Sequence, residues 1–312
     1  MNPTLETAHG RSVLRFERRL AHPVEKVWRA LTDPAHLAHW FPSAVEEIDL
    51  RPGGKVRFRG EFEELPLGSG EITELDPPHL LAFTWYDDPL RWELRRDGEG
   101  CVLVFTHTFS DRPMAGSFAA GWETCLSAME SALAGAPAGL QPVPEGYAER
   151  HDAYAEQFGL DEGDLSEDID GWTIRFERNV PHPIEKVWPA LVGSDAPATG
   201  GFPPPGTTVD PIPPGEVTEV AAPERLEYVW PSGDAPLGRV RWELTGGHPA
   251  GTRVVLTQTG PAEERGRCAA ALAAWHLRLQ SLADRLRDTE RPGSGERAEE
   301  LERRYATRIE AR

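Results

Sequence analysis

The side chain best placed by its sequence to move a proton near neutral pH is His107. It sits in the run 101–109, CVLVFTHTF, where Cys101, Leu103, Phe105, His107 and Phe109 alternate with Val102, Val104, Thr106 and Thr108. Side chains two apart share one face of a strand, and Leu103 and Phe105 mark that face as the inward one, so the imidazole goes in with them. An inward imidazole among aromatic rings is a general base, a hydrogen-bond partner for a ligand, or a core histidine paired to a backbone carbonyl. The last is the commoner role for a lone histidine, and the sequence offers no evident acidic partner for His107.

The other reactive side chains carry less. Glu61, Glu63 and Glu64 could pair as acid and base, but they crowd a charged hairpin and read as a solvated edge. His22 and His182 each precede a proline at a strand-to-helix junction, where the pair serves helix initiation. Cys101, Cys125 and Cys268 are far apart and match no metal-ligand spacing, which fits reduced thiols rather than a disulfide framework. No Ser-His-Asp order, HExxH, CxxC or glycine-rich phosphate loop occurs, and Gly53-Gly54 reads as a hairpin turn. No metal and no cofactor is expected.

What positions these residues is a repeat. Residues 15–31, RFERRLAHPVEKVWRAL, match residues 175–191, RFERNVPHPIEKVWPAL, at twelve of seventeen positions. In the same order, 70–74 matches 215–219, Arg91-Trp92-Glu93-Leu94 matches Arg241-Trp242-Glu243-Leu244, and Trp122 matches Trp275. The counterpart of His107 is Gln258, which keeps a polar group and drops the titration, so a hydrogen-bonding role fits better than proton transfer. From Trp28 to Gly70 the first copy has 41 intervening residues; from Trp188 to Gly215 the second has 26. The second copy therefore lacks the counterpart of Trp40-Phe41 and most of one hairpin. Its remaining loop, with Pro203-Pro204-Pro205 and Pro213-Pro214, pairs poorly within a sheet. A shorter sheet and a reduced cavity follow, with a role in covering or bracing the first copy or in forming a homodimer.

One copy reads as a strand (12–20), a helix with Val24, Val27, Trp28 and Leu31 on one face, a short helix after Asp33-Pro34, six strands (45–50, 55–62, 69–75, 79–86, 90–96, 101–109), and a long helix (117–133) carrying Phe118, Trp122, Leu126, Met129 and Leu133 as a stripe. The domains so defined are 12–158, an acidic linker at 159–171 (DEGDLSEDID at its centre), a shortened copy at 172–290, and a C-terminal helix at 296–312. The formal net charge of −18 disfavours nucleic acid and anionic membrane surfaces as partners. No apolar run approaches the 20 residues of a membrane span and the N-terminus has no signal-like stretch, so a cytoplasmic protein is expected. Scarce lysine beside abundant Arg, Ala, Gly and Pro fits a GC-rich bacterial genome.

The strings EKVWRALTDPAHLAHWF, GEITELDPPHLLAFTW, RWEL, LVFTHTF and GWETCLSAMESAL resemble the Aha-type branch of the SRPBCC superfamily, relatives of START lipid-transfer domains and of the birch-pollen allergen. The resemblance covers residues 12–158 and, more weakly, 172–290. It implies an α+β fold of two tandem helix-grip domains, each a curved antiparallel sheet wrapped around a long C-terminal helix, with two short helices after the first strand. It also implies a deep cavity between sheet and helix for hydrophobic ligands. Within the superfamily one branch cyclises aromatic polyketides, and some actinobacterial relatives are associated with self-resistance to reactive natural products. On that basis the residues expected to line the first cavity are Trp40, Phe41, Phe58, Phe62, Trp85, Trp92, Phe105, His107, Phe118, Trp122 and Met129, whereas Trp28 and Trp188 are core. Three functions stand open. The first, preferred over catalysis, is binding of a hydrophobic, polycyclic small molecule. The second is an enzyme of cyclase, dehydratase or hydrolase type, or a resistance protein, with His107 as acid or base. The third is a co-chaperone-like protein-interaction module.

Overall fold

The computed structural model describes residues 2–59, 69–136, 145–194, 196–232, 235–248, 250–289 and 294–311. The chain divides into two compact units, Met1–Tyr154 and Ala155–Arg312.

Unit 1 opens with a hairpin of β1 (Thr4–Ala8) and β2 (Arg11–Leu20). Its two-residue turn has φ of 52° at His9 and 77° at Gly10, the left-handed conformations that match the strands' twist. Pro23 then leads into α1 (Val24–Thr32), which buries Val24, Val27, Ala30 and Leu31 on one face. Asp33 caps the short α2 (Pro34–Leu37) by accepting from Ala35 N–H at 2.9 Å. There follow β3 (Val45–Ile48), β4 (Lys55–Phe58), β5 (Ser69–Asp76), β6 (Leu80–Trp85), β7 (Asp88–Asp97), β8 (Gly100–Phe109) and the long helix α3 (Ala115–Leu133). Among the described residues the sheet order is β1-β2-β8-β7-β6-β5-β4-β3. The stripe on α3 is buried as the sequence requires, Trp122, Leu126, Met129 and Leu133 each lying at 6% exposure or less; burying such side chains contributes about 1.5–3 kcal/mol apiece. Phe118 on the same helix is only half-buried. The opposite sheet face is polar, with pairs such as Lys55–Glu71 and Arg91–Glu74. α4 (Tyr147–Gln157) spans the boundary between the units.

Unit 2 repeats the plan with β9 (Asp164–Asp168), β10 (Gly171–Val180), α5 (Ile184–Val192), β11 (Val217–Ala221), β12 (Arg225–Ser232), β13 (Ala235–His248), β14 (Gly251–Gly260), α6 (Cys268–Leu286) and α7 (Ser294–Glu310). Its sheet order among the described residues is β11-β12-β13-β14-β10-β9. As expected from the shortened spacing, no strands equivalent to β3 and β4 occur among the described residues of this sheet. A tight turn at 205–207 takes the place of Trp40: the buried Thr207 carbonyl accepts from Tyr228 Oη at 2.9 Å and from Trp242 Nε1 at 3.1 Å, whereas in unit 1 the matching Trp92 meets the Trp40 ring at 5.4 Å.

Two expectations about boundaries need correction. The stretch 159–171, read as a solvated linker, contains β9, which pairs antiparallel with β10 just as β1 pairs with β2. The acidic residues of β9 face outward from a sheet edge, where charge discourages further pairing, and the strand's one apolar member, Leu165, is buried. By the same token unit 1 begins before residue 12, at β1.

Candidate functional site

The site is built on three neighbouring strands and α3. The ladder sets Leu14 opposite His107 and Leu90 opposite His107 on its two sides. The β8 residues assigned to the inner face are all buried, His107 at 0% exposure. Its ring meets Phe118 at 4.6 Å and Phe109 at 5.0 Å between centroids.

Both imidazole nitrogens have partners, and neither is the backbone carbonyl expected. Trp122 Nε1–H donates to Nδ1 at 3.0 Å. An indole N–H only donates, so Nδ1 carries the lone pair and Nε2 the proton. Nε2 lies 3.2 Å from Asp88 Oδ2, and Asp88 Oδ1 accepts from Arg11 at 2.9 Å. Arg11 also donates to the Thr108 carbonyl at 3.2 Å. A polar chain thus runs from Trp122 through His107 and Asp88 to Arg11 at the open end of the sheet. Burial pushes the His107 pKa below its ordinary value, and the hydrogen bond and charge of Asp88 offset part of that. The ring is held neutral. Asp88 is the acid partner of His107; it falls between the strands expected at 79–86 and 90–96, whereas it begins β7 and pairs with Trp85 across the ladder.

Around this chain the aromatic residues converge. Trp92 and Phe105 stack at 3.9 Å, and Trp122 meets Phe105 edge-on at 4.6 Å. Phe41 contacts Phe58, Trp85 and Trp122 at 5.9–6.1 Å. Trp40 donates its N–H to the Ala30 carbonyl at 3.0 Å, which fixes it to α1. Trp85 donates to Ser43 Oγ at 3.0 Å. Of the residues expected to line the cavity, Trp40, Phe41, Phe58, Trp85, Trp92, Phe105, His107, Phe118 and Trp122 come together; Met129 is buried seven residues further along α3. Trp40, Phe58, Trp92 and Phe105 are 1% exposed or less, packed ring on ring. Phe62 and the Glu61, Glu63 and Glu64 group lie outside the described residues. Tyr86, the last residue of the strand expected at 79–86, instead lies in the turn after β6 and stacks on Phe58 at 6.4 Å.

In unit 2 the equivalent register positions read differently. Ile174 and Val240 flank Gln258, whose Oε1 accepts from Trp275 Nε1 at 2.6 Å. Asp88 becomes Gly238, Arg11 becomes Gly171, and Phe109 becomes Gly260. Ser12 becomes Trp172. A Cβ on Gly260 would stand 2.2 Å from the Trp172 ring and 2.7 Å from the Trp230 ring, so the glycine is what admits the two indoles. The polar exit of unit 1 is replaced by a pair of tryptophans 5.9 Å apart, and Gln258 Nε2 is buried without a protein partner.

The cysteines are unpaired and buried. Burial pushes the Cys125 and Cys268 thiols up to about 12, which keeps them protonated and unreactive. Among the described residues no helix is long and apolar enough to cross a membrane.

The fold and site can be set beside known proteins. No curated protein matches the chain. Among solved structures, the crystal structure of CalU16 from Micromonospora echinospora is 24% identical, covering 50% of this chain and 96% of its own, with a TM-score of 0.40. The solution structure of CalU16 is 26% identical, covering 50% and 92%, with a TM-score of 0.41. EF2215 from Enterococcus faecalis, a conserved protein of unknown function, is 20% identical, covering 50% and 90%, with a TM-score of 0.42. The family described as Activator of Hsp90 ATPase homolog 1-like protein matches residues 21–134 in unit 1 and 204–287 in unit 2. Those two segments make up more than half of the chain, and the protein belongs to the Activator of Hsp90 ATPase homolog 1-like family.

Proposed function

We propose that unit 1 binds a hydrophobic, ring-bearing small molecule and does not transform it. The observation that carries this reading is the hydrogen-bond state of His107. A general base needs a free lone pair, and the one on this neutral ring is occupied by the Trp122 indole. The remaining N–H points to Asp88. A site whose titratable group is fully partnered inside a shell of aromatic rings suits shape-matched apolar binding with one polar anchor. The tryptophan pair in unit 2 supports placing the ligand in unit 1.

A second reading is favoured by Asp88 itself, since a carboxylate beside an imidazole is also the arrangement that tunes a catalytic histidine. It requires the Trp122 hydrogen bond to break when substrate enters. Substitution separates the two. Titrating 1-aminoanthracene into the full chain should give saturable binding that survives His107→Gln. Exchanging Ser12→Trp together with Phe109→Gly, which installs the unit 2 pair in unit 1, should abolish it. Undiminished binding in that double variant would overturn the assignment to unit 1. A turnover that His107→Gln removes at unchanged affinity would establish the enzyme instead.

A further inference from the structure

The solvent-reaching members of the unit 1 site are gathered at one end of it. Trp40, Phe58, Trp92 and Phe105 are sealed, whereas Phe118 and Trp85 are half-buried and flank the His107 ring at 4.6 and 6.3 Å. Asp88 and Arg11 stand at the same end, their side chains 28% and 33% exposed. A molecule approaching the aromatic shell from this side meets their ion pair.

That pair is not what holds the fold. A partly exposed ion pair contributes little to stability, and unit 2 builds the corresponding strands with glycine at both positions, Gly171 for Arg11 and Gly238 for Asp88. The two are absent together in the unit where Trp172 and Trp230 fill that end with indoles. Within one chain, then, the charged pair accompanies the end that solvent reaches and is lost with it.

What the pair offers is donors. Asp88 spends one oxygen on His107 and the other on Arg11. Arg11 gives Nη2 to Asp88 and to the Thr108 carbonyl, while Nε and Nη1 meet no acceptor among the described residues, and Nε is also closed off from solvent. A guanidinium only donates, so a hydrogen-bond acceptor is what satisfies that edge, and an enclosed N–H without one is destabilising. The charge itself is already balanced by Asp88, and a chain of net charge −18 repels anions. A neutral carbonyl oxygen meets both conditions; a carboxylate meets only the first.

We propose that Arg11 is the polar contact of the unit 1 site, and that it receives the carbonyl oxygen of an aryl ketone on the edge formed by Nε and Nη1. This rests on the reading of unit 1 as a binding domain, and it narrows the ligand from aromatic rings in general to rings that carry a neutral acceptor at their edge.

The test is displacement of 1-aminoanthracene from the full chain by fluorene and by 9-fluorenone, which differ by one carbonyl oxygen. Fluorenone should bind about tenfold tighter than fluorene, the worth of a hydrogen bond to a charged donor. In Arg11→Met that ratio should fall below about twofold. In Asp88→Asn, which leaves the guanidinium in place, it should stay at or above the parent's. An Arg11 that only steadies Asp88 would change both affinities by one factor and leave the ratio unchanged in Arg11→Met, which overturns the proposal. A ratio that falls in Asp88→Asn would make the carboxylate the contact and overturns it too. Tighter binding of fluorene-9-carboxylate than of fluorenone overturns the neutral class alone. Saturable 1-aminoanthracene binding with equal affinities for fluorene and fluorenone in the parent overturns the proposal and leaves the binding reading in place. No saturable binding of 1-aminoanthracene overturns the reading on which the proposal rests.

Discussion

Trp122 and His107 are joined by a buried hydrogen bond, indole N–H to imidazole Nδ1, at 3.0 Å. The same bond recurs between Trp275 and Gln258 at 2.6 Å, so what the two units share is an acceptor for a helix indole, whatever its chemistry. What they do not share lies beyond it. In unit 1 the acceptor passes a proton-bearing nitrogen on to Asp88 and Arg11. In unit 2 the matching positions are glycines and the amide nitrogen of Gln258 is left unpaired. An unsatisfied buried donor costs about 1–3 kcal/mol, and the glycines at the matching positions of unit 2 offer no side chain to continue the polar chain.

The neutral state of His107 has a pH signature. Burial places its folded pKa below the ordinary 6.5. Below pH 6.5 the unfolded chain therefore binds a proton that the folded chain refuses, and stability falls as pH drops from about 6.5 toward the folded pKa, by up to about 1.4 kcal/mol per pH unit. The carboxyls held below their ordinary values, Asp161, Glu177 and Glu227, contribute only at lower pH, because their reference values are 3.8 and 4.5. Urea unfolding between pH 5 and 7.5 should show a shallower slope for His107→Gln than for the parent. Parallel slopes would mean that the His107 pKa is the same in the folded and unfolded chains.

Removing the donor should be as informative as removing the acceptor. Trp122→Phe keeps a ring against Phe105 but leaves Nδ1 without its partner, at a cost of about 1–3 kcal/mol. Adding His107→Leu should recover part of that loss, since neither polar group then remains and Asp88, partly open to solvent, can turn to water. A double-mutant cycle from chemical denaturation measures the coupling. Strict additivity would show that the bond contributes nothing.

The sheet, the long helices and the deletion in the second copy were legible because they are written as periodicity and repeated strings. The inward face of β8 followed from alternation alone, and His107 with it. Asp88 was not legible, because a carboxylate beside a proline in a sequence such as Asp87-Asp88-Pro89 reads as turn chemistry; only the ladder reveals that it faces the next strand's end. Tyr86 was read as the end of the strand 79–86, because a positive φ leaves no mark in the choice of tyrosine. The segment 164–168 was misjudged because acidity normally signals solvated chain, while an edge strand needs only one buried residue, here Leu165, to hold its register.

The first residues of unit 2 hold the C-terminal helix α7. Gly163 N–H donates to Tyr305 Oη at 3.1 Å, and Tyr305 Oη lies 3.0 Å from His276 Nδ1. With the hydroxyl donating to Nδ1, Nε2 carries the proton and faces Asp161 Oδ2 at 3.2 Å. The Gln280 amide also lies 2.9 Å from Nε2, which requires its oxygen to be the atom turned that way. Burial raises the Asp161 carboxyl, but His276 and Arg178 bring it below its ordinary value, so it is an anion in the folded unit. Outside this core Glu162 receives Arg308 at 2.7 Å and Arg304 at 3.1 Å. Residues 161–163 therefore clasp α7 against α6 through the buried Asp161, His276 and Tyr305 and through partly exposed ion pairs of Glu162. Tyr305→Phe removes one oxygen and strands two partners, the Gly163 N–H and His276 Nδ1, so it should cost about 2–4 kcal/mol locally. Hydrogen exchange should report faster opening of α7 and of 161–165 together, with unit 1 amides unchanged. A chain lacking residues 294–312 should lose the same protection at 161–165. If α7 exchanges faster in Tyr305→Phe while 161–165 keeps its protection, the two segments are not held by this network, and the assignment of 155–165 to unit 2 rests on β9 alone.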